Sequence, residues 1–256
     1  MIPSAVVLAG SRGGRDPVAA YADVTEKALI PIGEVTMLAR VLAALAAAGV
    51  GRMLVSANAP AVLAEAGRHG AATMAAAAGP SASTAAALDR LGAPLLVTTG
   101  DHALLRPEWV IDFVAKVEPG VDVAVLLARR EAIERAAPGS RRTYLRFSDG
   151  DWSGCNLFLL ATPEADRMIE LWQQVERDRK RPWRIVRRLG IGLLVRYLLG
   201  RLSLADAVAH LGRRVGVVAA IVEASDGLAA VDVDKPDDLD FVRGLVAHFT
   251  TVRDLA

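Results

Sequence analysis

VVLAGSRGGRDP (6–17) and KALIPIG (27–33) decide how this chain reads. An apolar run passes straight into a loop of glycines and arginines, and a single lysine heads the next apolar segment. Glycine lets backbone approach a ligand closely, and cations beside glycines suit a phosphate. The spacing does not fit the dinucleotide fingerprint, which needs G-x-G-x-x-G opening a helix at once. Here the glycines are Gly10, Gly13 and Gly14, and the next strong helical pattern starts only near Thr36. The sequence predicts a long loop that grips a polyphosphate in another manner.

Outward from that loop, short apolar runs alternate with helical patterns. Strands are expected at 5–9, 53–56, 95–98 and 121–128, with helices at 36–48, 60–68, 83–91 and 107–117. Successive β-α units of this kind build a mainly parallel sheet covered on both faces, a Rossmann-like α/β fold. Thr36 and Ser83 read as N-caps and Gly49 as a C-cap. Beyond residue 138 the rhythm changes. Residues 143–160 read as two strands around a polar turn, a small antiparallel excursion, and helices follow at 163–179, 182–200 and 203–211. The chain returns to β-α at 228–249, so the expectation is one domain over 1–256 with a helical insertion at about 163–212.

The composition sets outer limits. With 256 residues, 53% hydrophobic and 23% charged, the chain can bury a sizeable core and is not disordered. A net charge of +1 offers no global electrostatic case for nucleic acid. One cysteine, Cys155, allows no internal disulfide and fits a reducing cytoplasm. The opening residues lack signal-peptide design and no 18-residue uncharged apolar run occurs, so a soluble protein is expected.

Two predicted strands end in acids: TTGDHALL places Gly100 and Asp101 at one, and VDVDKPDDL places Asp232 and Asp234 at the other. In an open α/β sheet, ligands lie beyond the carboxyl ends of the strands, where the strand order switches. Carboxylates delivered there from two strands can share a Mg2+, which takes oxygen ligands and keeps some waters. An Asp after a strand is also a common helix cap, and Asp237 and Asp238, behind Pro236, read as first-turn acids of the last helix. Lys27, anchored by the apolar segment after it, offers a point charge to a phosphate. Arg12 and Arg15 can join it, one of them being simply solvated. His102 reads as a hydrogen-bonding spectator.

These residues carry a resemblance. The stretch LAGSRGGRDP…KALIPIGEVTMLARVLAALAAAG resembles the opening of nucleotidyltransferases with a glycosyltransferase-A-like fold. The nearest group is that of the molybdenum-cofactor guanylyltransferases, which shades into the sugar- and inositol-phosphate cytidylyltransferases. The resemblance implies an NTP-binding loop of Ala9, Gly10, Ser11, Arg12, Gly13 and Gly14, with Arg15 and Lys27 catalytic. Ser11, Asp16 and Glu26 depart from the pattern, and about nine residues (18–26) lie where it has one or two. GPSASTAAAL resembles the base-reading segment and implies Gly79, Pro80 and Ser83. TTGDHALL implies Gly100 at the nucleotide and Asp101 as first metal ligand; VDVDKPDDL implies Asp232 as the second, with Asp234 a neighbour; SGCNLFLL implies Asn156 as an acceptor contact.

The reaction implied by the resemblance is in-line attack of an acceptor phosphate on the α-phosphorus of CTP or GTP, with Mg2+ and without a covalent enzyme intermediate. The partners implied are a nucleoside triphosphate and a phosphorylated small molecule. A nucleotide-sugar glycosyltransferase on the same fold would carry Asp-x-Asp after a central strand, where this chain has Asp101-His102-Ala103. A non-catalytic nucleotide-binding module would bind without turnover. Residues 177–201 hold nine Arg or Lys against one acid, Asp178. That segment suits a solvated helix face, a wall of the acceptor pocket, or rest on an anionic membrane.

Overall fold

The protein is represented by a computed structural model that describes residues 4–11, 14, 16–140, 142–178 and 190–254. Its frame is one eight-stranded sheet. β1 (Ser4–Leu8) lies near the middle and pairs in parallel with β4 (Arg52–Ser56) on one side and β6 (Leu95–Thr99) on the other. β5 (Ala72–Met74) extends the first side in parallel. β1, β4 and β6 are almost continuously apolar, and Val6, Val7, Leu54, Val55, Leu95 and Leu96 are fully buried because helices cover both faces. A two-stranded ribbon, β2 (Pro31–Ile32) with β3 (Val35–Thr36), stands apart.

The far side of the sheet departs from the expected rhythm. β9 (Gly150–Leu160) inserts between β6 and β7 (Val123–Arg129), antiparallel to both, and β10 (Ala219–Glu223) closes that edge in parallel with β7. β8 (Leu145–Phe147) pairs only with β9. The antiparallel excursion is therefore larger than the sequence predicts: its second strand runs through the heart of the sheet, as its apolar half, 155–160, demands.

The helices begin where local chemistry allows. In the 18–26 stretch, α1 (Pro17–Tyr21) forms because Asp16 accepts from the amides of Val18 and Ala19 at 2.8 and 3.0 Å, with Pro17 at the first position. α2 (Met37–Ala47) starts at Thr36, whose hydroxyl accepts from the Ala39 amide at 3.1 Å, and Gly49 turns left-handed just past its end. α3 (Pro60–Arg68), α5 (Pro107–Ala115) and α6 (Arg130–Ala136) complete the early layers. α4 (Pro80–Leu91) corrects one expectation: Gly79, not Ser83, is its cap, because Pro80 suits the first helical position. Ser83 lies inside the helix, where its hydroxyl accepts from the Ala77 amide.

In the predicted insertion, α7 (Asp166–Asp178), α8 (Ile191–Leu198) and α9 (Leu204–Val215) are described, and most of the basic segment, 179–189, lies outside the described residues. α8 leaves Tyr197 and Leu198 exposed. No helix among the described residues is long and apolar enough to cross a membrane. α10 (Pro236–Asp254) ends the described chain.

This order creates the switch point. From β1 the chain moves outward through β4 and β5, then returns across β1 to β6. The loops leaving β1 and β6 diverge from there, which opens a crevice at their carboxyl ends.

Candidate active site

Two hollows meet at that crevice. The smaller, of about 420 Å³, is lined by Gly10, Ser11 and Gly14 from the loop after β1, Lys27, Gly100, Asp101 and Asp234. The larger, of about 1160 Å³, shares Gly10, Ser11 and Asp101 and extends to 76–83 and to α7. Ala9 belongs to the smaller one, and Gly79, Pro80 and Ser83 to the larger. Arg12, Gly13 and Arg15 lie outside the described residues. Two glycines are there for closeness rather than flexibility. A Cβ on Gly10 would sit 2.9 Å from the Ala76 Cβ, and one on Gly100 would sit 3.1 Å from the Ala9 Cβ.

Lys27 is the centre of the smaller hollow. Its Nζ donates to Asp101 Oδ2 at 2.7 Å and to Asp234 Oδ1 at 3.0 Å, which joins residues from three distant parts of the chain. Thr99 donates to the other oxygen of Asp101 at 2.5 Å. Burial works against charge at Lys27, but the two carboxylates outweigh it and raise the ammonium pKa. Burial likewise opposes ionisation of Asp101; the Lys27 charge and the bonds from Lys27 and Thr99 overcome it and hold the carboxyl below its ordinary value. Both groups are charged at neutral pH.

Asp232 has a different setting from the one expected. Its carboxylate accepts from Arg142 and, at 2.6 Å, from Asn156 Nδ2, and its carbonyl accepts from Arg142 at 2.6 Å. Burial pushes its carboxyl pKa up, reinforced by Asp234 and Asp101 and opposed by Arg142 and Asn156. One N–H of Asn156 is thus spent on Asp232, and Asn156 holds a left-handed backbone (φ 49°) where β9 slips register against β7. Asp238 accepts from the amides of Asp234 and Lys235 at 3.0 Å each and faces Arg142. Arg142, its side chain only 7% exposed, is the residue that sequence reading missed. It sits between α6 and β8, and its partners lie ninety positions on, so no local pattern announces it.

His102 points away from this chemistry. It is buried beside Trp109, ring centroids 6.3 Å apart, and burial drives its pKa down to about 4 against the pull of Asp101. The ring is neutral at pH 7. Among the described residues no group of three or more His, Cys, Asp and Glu side chains is arranged to hold a metal. Asp101 and Asp234 alone converge on a point where positive charge already sits.

The family model of the MobA-like NTP transferase domain matches residues 5–191. Among solved structures, a hypothetical transferase from Thermus thermophilus is 34% identical with a TM-score of 0.79, covering 93% of this chain and 100% of its own. A nucleotidyl transferase from Methanothermobacter is 20% identical with a TM-score of 0.58, covering 97% of this chain and 99% of its own. A CMP:2-keto-3-deoxy-manno-octonic acid synthetase complexed with CTP is 17% identical with a TM-score of 0.60, covering 97% of this chain and 99% of its own. The last two show likeness of fold. None of the curated proteins matches the chain.

Proposed function

The chain belongs to the MobA-like NTP transferase family, and on that premise we propose that it moves a nucleoside monophosphate from CTP or GTP to a phosphorylated small molecule. The observation that carries the proposal is Lys27 bridging Asp101 and Asp234 beneath the glycine loop, at the switch point of the sheet. The acceptor phosphate oxygen attacks the α-phosphorus, the bond to the bridging oxygen breaks, and pyrophosphate leaves with the electron pair. No side chain needs to become covalently attached. Gly10, Ser11 and Gly14 leave backbone free to approach the phosphates, while Lys27 and Arg15 meet the charge that develops on them.

The donor set suits Mg2+. Asp101 Oδ2 and Asp234 Oδ1 converge on the point that Lys27 Nζ holds, so Mg2+ would take that point, completed by waters and phosphate oxygens, and release Lys27 to the phosphates. We assign Asp101 and Asp234 as its ligands. Asp232 is spent on Arg142 and Asn156, and with Asp238 it braces the 232–238 loop that presents Asp234. Bound there, the ion would neutralise phosphate charge. Asn156, expected at the acceptor, lines neither hollow and acts through Asp232, which it holds in place. The whole of 1–256 is read as one catalytic domain, since Asp234 lies beyond the matched family segment yet completes the site. A cytoplasmic setting is part of the same reading, supported by the single free Cys155.

The test is a thermal-shift panel of the four nucleoside triphosphates with Mg2+, on wild type and on Asp101→Ala. A ligand at 100 times its dissociation constant adds roughly 2.7 kcal/mol of stability. The expected result is a shift by one triphosphate that Asp101→Ala loses, followed by pyrophosphate release with an acceptor. A shift by nucleotide sugars alone would overturn the transferase reading in favour of glycosyl transfer.

A further inference from the structure

The larger hollow has a wall that belongs to no motif seen in the sequence. α7 lies against α4 and contributes Gln173, Glu176 and Arg177 to the lining opposite the 76–83 segment. Glu176 reaches furthest. Its Oε2 accepts from the Ser81 hydroxyl at 2.5 Å, and a Cβ built on Gly79 would stand 3.1 Å from the same oxygen. Gly79 therefore does more than start α4: it leaves the space that lets a carboxylate from α7 approach.

Several of the other side-chain acceptors in this hollow are occupied, although the buried Ser56 Oγ is not. Ser83 Oγ accepts from the Ala77 amide, and Asn58 Oδ1 accepts from the Ala76 amide. Gln173 Oε1 accepts from Arg177 at 3.1 Å. Ser81 turns its proton to Glu176. The Glu176 carboxylate keeps spare acceptor capacity, because its two oxygens offer about four lone-pair sites. A base seated here must bring N–H groups to it.

Building on the nucleotidyltransferase reading, we propose that Glu176 selects the nucleobase, and that the base is guanine. The two hollows share Gly10, Ser11 and Asp101, so a nucleotide with its phosphates over Lys27 extends its base toward α7. Guanine carries two N–H donors side by side, N1–H and the 2-amino group, which match a carboxylate in bidentate fashion. Cytosine and adenine place a ring nitrogen acceptor beside their single amino group, and uracil flanks its N–H with carbonyls. None of those offers the carboxylate two adjacent N–H donors, so each makes at most one hydrogen bond to it.

Calorimetric titration of GTP, ITP and CTP with Mg2+ on wild type and Glu176→Gln tests this. ITP lacks only the 2-amino group. The expected result is wild-type affinity for GTP about ten-fold or more above ITP and CTP, in line with the discrimination of a good bidentate pair. In Glu176→Gln the GTP preference over ITP collapses, while the ligand-free Tm stays near that of wild type because Gln still accepts from Ser81. A GTP/ITP ratio that survives in Glu176→Gln overturns the proposal and leaves Glu176 as a cap on α4. So does wild-type preference for CTP. Binding of no triphosphate at all would instead strike the parent reading, and the outcomes are told apart by the wild-type titrations alone.

Discussion

Lys27 joins two carboxylates that would otherwise repel each other, and its removal has separable consequences. Lys27→Met should lower the turnover number about 100-fold or more, since a preorganised charge aimed at the reacting phosphates is lost. It should also destabilise the metal-free protein at pH 7, because Asp101 keeps its charge with the Thr99 hydroxyl but without its cation. The sign with pH comes from the depressed Asp101 value. Stability from that pair is complete above the ordinary carboxylate pKa and fades as pH falls through the folded one. The stability gap between wild type and Lys27→Met should therefore narrow from pH 7 to pH 3 in denaturant titrations; a constant gap would refute it. Arg142 makes the companion case. Arg142→Met leaves the buried Asp232 charge unpaired and should cost roughly 3 kcal/mol, with part recovered in Arg142→Met/Asp232→Asn.

Among the elements, glycines that look alike in sequence differ by what faces them. Gly227 starts the 3-10 turn Gly227–Ala230 that packs on α6, and a Cβ there would collide with the Ala132 carbonyl and lie 2.6 Å from the Ile133 nitrogen. Backbone cannot rotate aside, so Gly227→Ala should lower stability by about 1–3 kcal/mol. Gly244, on the exposed side of α10, meets nothing within 4 Å. Gly244→Ala should raise stability by about 0.5–1 kcal/mol through helix propensity. Opposite shifts of the two melting curves check both. The same limit explains why residue order points to the wrong cap for α4: Ser83 has the right residue type, but Pro80 and the close approach of Glu176 to Gly79 decide where the helix starts.

Across the whole molecule, Cys155 reports on cooperative opening. It lies in β9 between two other strands, 1% exposed, and burial pushes its thiol pKa well up. Native protein should resist thiol reagents, and labelling should track global unfolding as denaturant rises. Rapid labelling of native protein would mean that β9 opens locally.

The β1, β4 and β6 runs, the capped α2, and Gly10, Lys27 and Asp101 as candidates for one hollow were legible from residue order, because an apolar period, a cap or a glycine cluster acts on near neighbours. The central place of β9, the pairing of Arg142 with Asp232, the contact of Lys27 with Asp234 rather than Asp232, and the reach of Glu176 into the larger hollow were decided only in three dimensions. Those contacts join positions separated by 90, 207 and 95 residues. Nothing in a local window records which of two aspartates, one turn of loop apart, faces the lysine. Strand insertion and helix packing settle that choice.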